Sequence, residues 1–158
     1  GSEMCIRDSA IDLAMDALTQ ANNHLQNRFS PALGAETARI FSALTAGRYD
    51  KVLLDRSLSL SAQPAGDAVP RALALLSQGA GDQLYLAARL AICRMVLPQD
   101  KAAPLILDDA LANFDDTRMA AALDWLLEES RTRQILLFTC HRREGDYLWD
   151  RAHVVSLN

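Results

Sequence analysis

Two adjacent carboxylates, Asp108 and Asp109, directly follow the apolar run Leu105-Ile106-Leu107. A short apolar run of this kind predicts a buried strand. Carboxylate oxygens at the C-terminal edge of a parallel sheet are ligands that Mg²⁺ prefers, and α/β proteins bind their ligands at that edge. The pair therefore predicts a site for magnesium and a nucleotide, although a solvated acidic loop would contain the same residues.

A second candidate site lies at the start of a predicted helix, in the run Ser77-Gln78-Gly79-Ala80-Gly81. Ser77 can cap the helix, and Gly79 and Gly81 allow a close approach of the backbone. The free amides and the helix dipole would then favour an anion such as a phosphate. Taken alone, the segment is more typical of an ordinary helix N-terminus.

Two further features follow the acidic pair along the chain. Asp115 and Asp116 lie beyond a short apolar turn, and His141 follows the apolar run at residues 135–138. Two acidic pairs around one turn exceed what solubility requires. A single histidine at a strand end is more often a structural residue than a catalytic one.

Taken in order, these segments resemble the signature motif, the Walker B strand with its D-loop, and the switch histidine of ABC-type ATPase heads. The likeness is greatest to SMC-like and SbcC-like heads of the YhaN type, and it covers about residues 46–158. The Leu-Ser-x-Gly run at 76–79 and the Leu-Asp-Asp run at 107–109 carry it. The resemblance implies an α/β fold, the C-terminal half of a P-loop ABC-type ATPase head, with parallel strands, helices on the faces and a preceding amphipathic or coiled-coil helix.

The resemblance implies that ATP is bound between two heads. Ser77, Gln78 and Gly79 match the signature residues that contact the γ-phosphate of a nucleotide held by the opposing head. Asp115 matches the D-loop aspartate, which works across the dimer. Gln78 is a departure, because many family members have glycine at this position.

The resemblance also implies catalytic and metal-binding roles. Asp108 matches the Walker B carboxylate that holds Mg²⁺ through water, and His141 matches the switch histidine near the γ-phosphate. Asp109 stands where most members carry the glutamate that polarises the attacking water. It is one methylene shorter, and a misplacement of about 1 Å can cost on the order of a hundredfold in rate.

A phosphate-binding lysine loop is missing from this sequence. Walker A loops need Gly-x-x-x-x-Gly-Lys and then Ser or Thr, whereas Lys51 and Lys101, the only lysines, both follow aspartate. The resemblance therefore implies an N-terminal Walker A lobe of the same parent chain and a second head as partners. We expect no measurable ATPase activity, and at most weak nucleotide binding, from this chain alone.

The elements that must position these residues follow from the apolar spacing. Residues 11–29 show heptad-like spacing, which fits a coiled-coil end or an amphipathic helix docked on a core; Pro31 and Gly34 are expected to end that helix. A second helix is predicted at 35–46, with Gly47 as its cap. The further predicted elements are strands at 51–54 and 57–60, a loop at 62–67, a helix at 82–96, strands at 105–107 and 134–138 around a helix at 117–130, a helix at 144–150 and a strand at 153–157.

The composition limits the classes of protein to which the chain can belong. The chain has 158 residues, 50% of them hydrophobic, which suits one continuous core. A formal charge of −4 gives no general attraction to nucleic acid, and three scattered cysteines favour a reducing cytoplasm. No apolar run is long enough to predict a membrane span. We expect residues 1–8 to be a tag or non-native leader, 9–30 the end of a coiled-coil helix and 31–158 the C-terminal ATPase lobe.

Two rival functions remain open at this stage. A non-catalytic interaction module that binds another ATPase subunit would carry the same surfaces. A metal-dependent phosphohydrolase built on the acidic pairs is the other rival, but two-metal sites usually gather ligands from several strands, and here one segment supplies them all. DNA binding, DNA repair and chromosome maintenance follow from the resemblance by analogy alone.

Overall fold

The computed structural model describes residues 2–55, 59–97 and 103–157, and the side chains of all of these except residues 2–9, 25 and 26. No helix in these ranges has both the length and the apolar character that crossing a membrane requires. A turn of 3₁₀-helix (Leu73–Leu75) precedes the second helix. The other elements, in chain order, are α1 (Ser2–Leu44), β1 (Tyr49–Leu54), β2 (Leu60–Pro64), β3 (Arg71–Ala72), α2 (Gln78–Val96), β4 (Leu105–Asp108), α3 (Asp116–Glu129), β5 (Ile135–Phe138) and α4 (Arg142–Leu148).

The first helix is longer than its sequence predicts. Pro31 lies inside α1, where an end was expected. Proline removes one helical hydrogen bond, but Leu33 and Gly34, which follow it, are buried against the core. An added Cβ on Gly34 would lie 3.5 Å from the carbonyl oxygen of Val52 in β1. The packing of this segment outweighs the lost bond, so the predicted break, with two separate helices, is wrong.

The end of α1 is fixed by local backbone geometry and by one buried contact. Gly47 has a φ of +79°, and its amide donates to the Ser42 carbonyl at 2.8 Å. Left-handed backbone favours glycine, which confirms the predicted cap. The side-chain amide of Gln83 in α2 donates to the carbonyl of Leu44 at 2.6 Å. The last turn of α1 is therefore tied to the second helix inside the core.

The N-terminal sheet is antiparallel, with β2 between β1 and β3. β2 begins at Leu60 and extends into the segment predicted as a loop; the strand start predicted at residue 57 falls within 56–58, which lie outside the described residues. Val52 faces Ala62 across the β1–β2 pair, and both are buried. Burial of this pair sets the register, because a shift by one residue would turn both side chains outward.

The C-terminal half forms a strand-helix-strand unit, as its sequence predicts. β4 and β5 pair in parallel, with Leu107 opposite Leu137, and α3 connects them. The strand predicted at residues 153–157 is wrong, because these residues are exposed and have no regular structure. Within the described ranges, β5 pairs only with β4, and the segment at 153–157 has no strand beside it.

Helices α1, α2 and α3 meet around the main core. Arg94 of α2 forms an ion pair with Glu36 of α1 at 2.9 Å and a second one with Glu129 of α3. A hydrogen bond from Arg39 lowers the pKa of Glu36, so this carboxylate stays charged at more acidic pH than an ordinary glutamate does. The largest fully buried apolar side chains are Phe41, Ile40, Leu44, Leu84, Leu111 and Leu123.

One face of the parallel strand pair is bare. Side chains alternate along a strand, and Leu107 points into the core while Ile106, Leu136 and Phe138 are 62%, 39% and 46% exposed. The other edge of β4 is also unpaired within the described residues. An apolar sheet face of this kind normally packs against another layer.

Candidate functional site

Ser77 caps α2 and shapes the turn before it. Its backbone is extended, with φ −62° and ψ 149°, and its Oγ accepts a hydrogen bond from the Ala80 amide at 3.4 Å. α2 begins at Gln78, ahead of the predicted start at residue 82. Ser77 and Gln78 are exposed, and the first amides of a helix have no partner within it. This segment, residues 77–79, is called the Ser77 turn below; its form suits an anion.

Arg118 connects the Ser77 turn to Asp115. A Cβ added to Gly79 would lie 1.8 Å from Nη1 of Arg118, so the guanidinium occupies the space that glycine leaves free. Arg118 Nε lies 3.3 Å from Asp115 Oδ2, and the Arg118 amide donates to Asp115 Oδ1 at 2.9 Å. Asp115 thus caps α3, and the Arg118 side chain links it to the Ser77 turn. Sequence reasoning missed Arg118; its spacing of three residues from a capping aspartate was the available signal.

We predict opposite effects for two alanine substitutions in α2. Gly79→Ala must displace the Arg118 guanidinium, which is the end of a flexible side chain, so stability should fall by less than about 1 kcal/mol. Gly81→Ala is the control: its Cβ would meet only Leu73 Cδ1 at 3.6 Å, an ordinary contact. The better helix propensity of alanine should then raise stability by up to about 1 kcal/mol. Urea unfolding measures both, and equal effects of the two changes would contradict the role given to Arg118.

Asp109 joins the ends of the two parallel strands. Its amide donates to the Phe138 carbonyl at 2.9 Å, and its Oδ1 accepts from the Cys140 amide at 3.1 Å. Asp108 precedes it at the end of β4, and its side chain is exposed. His141 directly follows Cys140 and is the N-cap residue of α4. The structure therefore brings Asp108, Asp109 and His141 to one edge of the sheet, as their positions at strand ends predict.

The backbone of Asp109 explains why a short acid stands at this position. Its φ is +44°, in the left-handed region that few residues other than glycine adopt. Aspartate and asparagine tolerate this region better than longer or branched side chains do. The short side chain also places Oδ1 within reach of the Cys140 amide. Aspartate is therefore suited to this backbone geometry, although its carboxylate reaches one methylene less far than that of glutamate.

His141 is exposed and its side chain does not cap α4. Its backbone amide donates to Thr139 Oγ1 at 3.0 Å, which fixes the turn after β5. His141 thus directly follows the Cys140 amide that Asp109 binds, and its exposed side chain is open to a ligand from outside. The predicted role of His141 stays a prediction.

Magnesium is the metal that the sequence implies, and the residues present suit it. The described residues contain no cluster of three or more His, Cys, Asp and Glu side chains that could enclose a metal. Mg²⁺ does not need such a cluster, since it commonly binds one or two carboxylates, waters and the phosphates of its substrate. Asp108 and Asp109 are adjacent and exposed, so Asp108 would serve as the holding carboxylate.

A groove runs along β4 beside the acidic pair. It has a volume of about 760 Å³ and lies between α2 and β4. Asp82 of α2, Asp108 at the end of β4 and Asp109 directly after it lie along the groove, together with the apolar residues Leu86 and Ile106. The first turns of α2 and the end of β4 therefore face a common open space.

The chain is similar to known proteins in sequence and in fold. No family model matches the chain. The uncharacterized protein YhaN of Bacillus subtilis (strain 168) is 32% identical over 117 residues, which is 73% of this chain and 12% of that protein. The chain thus spans about one eighth of the length of this relative.

Solved SMC head domains share the fold. A chain from work on ATP-driven dimerization and DNA-stimulated activation of SMC ATPases matches with a TM-score of 0.66 and 21% identity, over 80% of this chain and 77% of that one. The Smc head of Pyrococcus furiosus, with an extended coiled coil and bound to the C-terminal domain of ScpA, gives 0.62 and 20%, over 89% and 35%. The Smc head of Pyrococcus yayanosii, with a coiled coil and joint, gives 0.64 and 19%, over 92% and 28%. The chain is therefore similar to part of YhaN in sequence and has the fold of the C-terminal part of an SMC ATPase head.

Proposed function

We propose that the chain is the C-terminal half of an ATP-binding and hydrolysing head of the SMC and SbcC-like kind, which acts as a dimer of heads. The bond between the Asp109 carboxylate and the Cys140 amide, 3.1 Å long, carries the proposal. It holds the ends of two parallel strands together and keeps Asp108, Asp109 and His141 at one edge. This edge is where a nucleotide would bind in such a fold.

The proposed reaction is the transfer of the γ-phosphoryl group of ATP to water. The water oxygen bonds to phosphorus while the bond to the bridging oxygen of ADP breaks. Asp109 orients the water and accepts the proton that the water loses as its oxygen bonds to phosphorus, and His141 donates a hydrogen bond to the γ-phosphate. Bound Mg²⁺ would supply charge neutralisation on the phosphates, with Asp108 holding it. Catalysis would come mainly from positioning and electrostatics, which allows the residues to be divided between lobes.

The N-terminal Walker A lobe of the parent chain is the first proposed partner. The bare sheet face, the free edge of β4 and the adjoining groove of about 760 Å³ are the surfaces that this lobe would cover. Ile106 and Phe138 give that face its apolar character. The short span of the chain relative to YhaN leaves ample room for such a lobe elsewhere in a parent protein.

A second head is the other proposed partner. The exposed Ser77 turn, with Gln78 and Gly79, would contact the γ-phosphate of a nucleotide bound by that head, and Asp115 would approach across the same interface. Likeness to SMC ATPases supports dimerisation, and by analogy DNA repair or chromosome maintenance with DNA as a further partner. Cys93 and Cys140 are free cysteines among the residues whose side chains are described, and they suit a cytoplasmic setting.

The function is tested on the full-length parent protein. With Mg²⁺ it is expected to hydrolyse ATP, while this chain alone shows no measurable turnover. Asp109→Asn in the parent should keep ATP binding within about twofold and slow hydrolysis by on the order of a hundredfold, since general-base assistance is lost. Phosphate release and equilibrium ATP binding measure the two properties.

Asp50→Asn serves as the matched control, because Asp50 is exposed on β1. It should leave turnover unchanged. A parent that binds another ATPase subunit but does not itself hydrolyse ATP would favour the non-catalytic interaction module. Turnover by this chain alone at the rate of the parent would contradict the proposed division of the site between lobes.

A further inference from the structure

Arg143, the second residue of α4, reaches across to the segment between β4 and α3. This segment, residues 109–115, is called the Asp115 loop. Arg143 Nη2 donates to the Leu111 carbonyl at 3.1 Å and to the Ala112 carbonyl at 3.4 Å, and Nη1 donates to Asp116 Oδ1 at 3.3 Å. These partners are 27 to 32 residues away in the chain. The Arg143 side chain thus connects the Asp115 loop to α4, the helix that follows His141.

The same guanidinium is anchored from behind by a buried carboxylate. Arg143 Nε donates to Glu144 Oε1 at 3.2 Å, and the Glu144 side chain is 2% exposed. Thr139 Oγ1 donates to Glu144 Oε2 at 3.3 Å and accepts from the His141 amide at 3.0 Å. A continuous set of hydrogen bonds therefore runs from the backbone of the Asp115 loop to the backbone of His141.

The contacts of Arg143 differ in how strongly they hold its side chain in place. Asp116 is 87% exposed, so its pair with Arg143 is screened by solvent and contributes little. Leu111 is buried, and its carbonyl accepts from both Arg143 and the Phe114 amide. Hydrogen bonds from a charged donor are stronger than neutral ones. The contacts to Leu111 and Glu144 are therefore the ones that fix Arg143 in place.

We propose that Arg143 is a positioning residue that holds the Asp115 loop and the His141 turn as one unit. The inference rests on the proposed function, because only then do Asp115 and His141 both face nucleotide. In the proposed role, Arg143 contacts neither the nucleotide nor the attacking water. It acts through the backbone of residues 111 and 112. Loss of Arg143 should disturb the chemical step more than ATP binding, which the Walker A lobe provides.

Arg143→Met in the full-length parent removes the charge and the donors but keeps most of the side-chain volume. We expect kcat for ATP hydrolysis to fall about tenfold or more, with KM for ATP within about twofold. Arg143→Lys, which keeps one donor group, should recover only part of kcat, since lysine cannot reproduce the planar fork. Arg142→Met is the matched control; Arg142 is exposed, adjacent, and has no side-chain hydrogen bond within the described part of the chain. It should leave kcat unchanged.

Two further readouts separate positioning from general stability. Amide exchange with deuterium should accelerate at residues 110–114 in Arg143→Met, while α3 and β5 keep their protection. The double variant Arg143→Met with Asp115→Ala should have a kcat no lower than that of Asp115→Ala alone. Both substitutions disrupt the same unit, the Asp115 loop with the His141 turn. Multiplied losses in the double variant, or unchanged exchange at 110–114, would overturn the proposal. If the unaltered parent lacks ATPase activity, the proposed function fails, and the exchange measurement alone decides whether Arg143 holds the loop.

Discussion

Phe41→Ala is expected to lower the free energy of unfolding by about 3 to 5 kcal/mol, the range for removing a fully buried phenylalanine. Phe41 has no exposed surface, and its ring stacks on that of Tyr49 with centroids 4.8 Å apart. The substitution removes the contact that packs α1 against β1 and leaves a cavity. Urea unfolding monitored by circular dichroism measures the change.

Phe29→Ala on the same helix is the control. Phe29 is 38% exposed and lies in the part of α1 that projects beyond the core. Its removal should change stability by no more than about 0.5 kcal/mol, as at other surface positions. A loss of similar size for both variants would mean that the exposed part of α1 is packed in solution, for example against a second copy.

Ser77→Arg is expected to reduce ATP turnover of the full-length parent by about a hundredfold or more. The exposed Ser77 turn would receive a long side chain where the proposed phosphate must approach. Removal of one oxyanion-type donor alone costs about 100- to 1,000-fold in other enzymes. ATP binding to the Walker A lobe should stay within about twofold, so binding and turnover are measured together.

Two control variants isolate the cause of the expected loss. Ser77→Thr keeps a hydroxyl that can cap α2 and should keep most of the turnover. Ser130→Arg introduces the same charge at the exposed C-cap of α3 and should have no effect. Head dimerisation in ATP, measured by light scattering on the slow Asp109→Asn background, should be lost with Ser77→Arg. Dimerisation and turnover at unaltered levels would remove the Ser77 turn from the proposed site.

Local sequence signals predicted the C-terminal half of the fold well. The apolar runs before Asp108 and before Thr139 predicted β4 and β5, and the helix between them predicted their parallel pairing, which the structure confirms. The helical pattern of α2 was placed from residue 82, four residues too late, although Ser77 was predicted as a cap and the structure confirms it. Burial of Ala80 and Leu84 holds the first turns of the helix against the core.

The features that sequence reasoning missed depend on contacts between distant residues. Pro31 is a strong local signal for the end of a helix, and the packing of Leu33 and Gly34 on the core outweighs it. The apolar residues at 153–157 read as a strand, but a strand needs a neighbour to pair with. Arg118 and Arg143 appear in the sequence as ordinary helix arginines; their partners become visible only once the chain has folded.

In the candidate site, too, local sequence predicted some features, while others depend on contacts between distant residues. Strand ends and a helix start predicted the placement of Asp108, Asp109, His141 and Ser77, because the edge of a parallel sheet collects such residues. The φ of Asp109 and its bond to Cys140 could not be predicted, since the two residues lie 31 positions apart. Roles in catalysis remain predictions for all of these residues.

The unbroken α1 helix has a mechanical consequence. At about 1.5 Å per residue, its 43 residues form a rod about 65 Å long, of which the last third is embedded among the other helices. Pro31, which removes one backbone hydrogen bond, lies near the point where the projecting part meets the embedded part, and the embedded part is tied to α2 by the Gln83 contact at Leu44. Rotation of the embedded part would therefore displace α2, the helix that Ser77 caps.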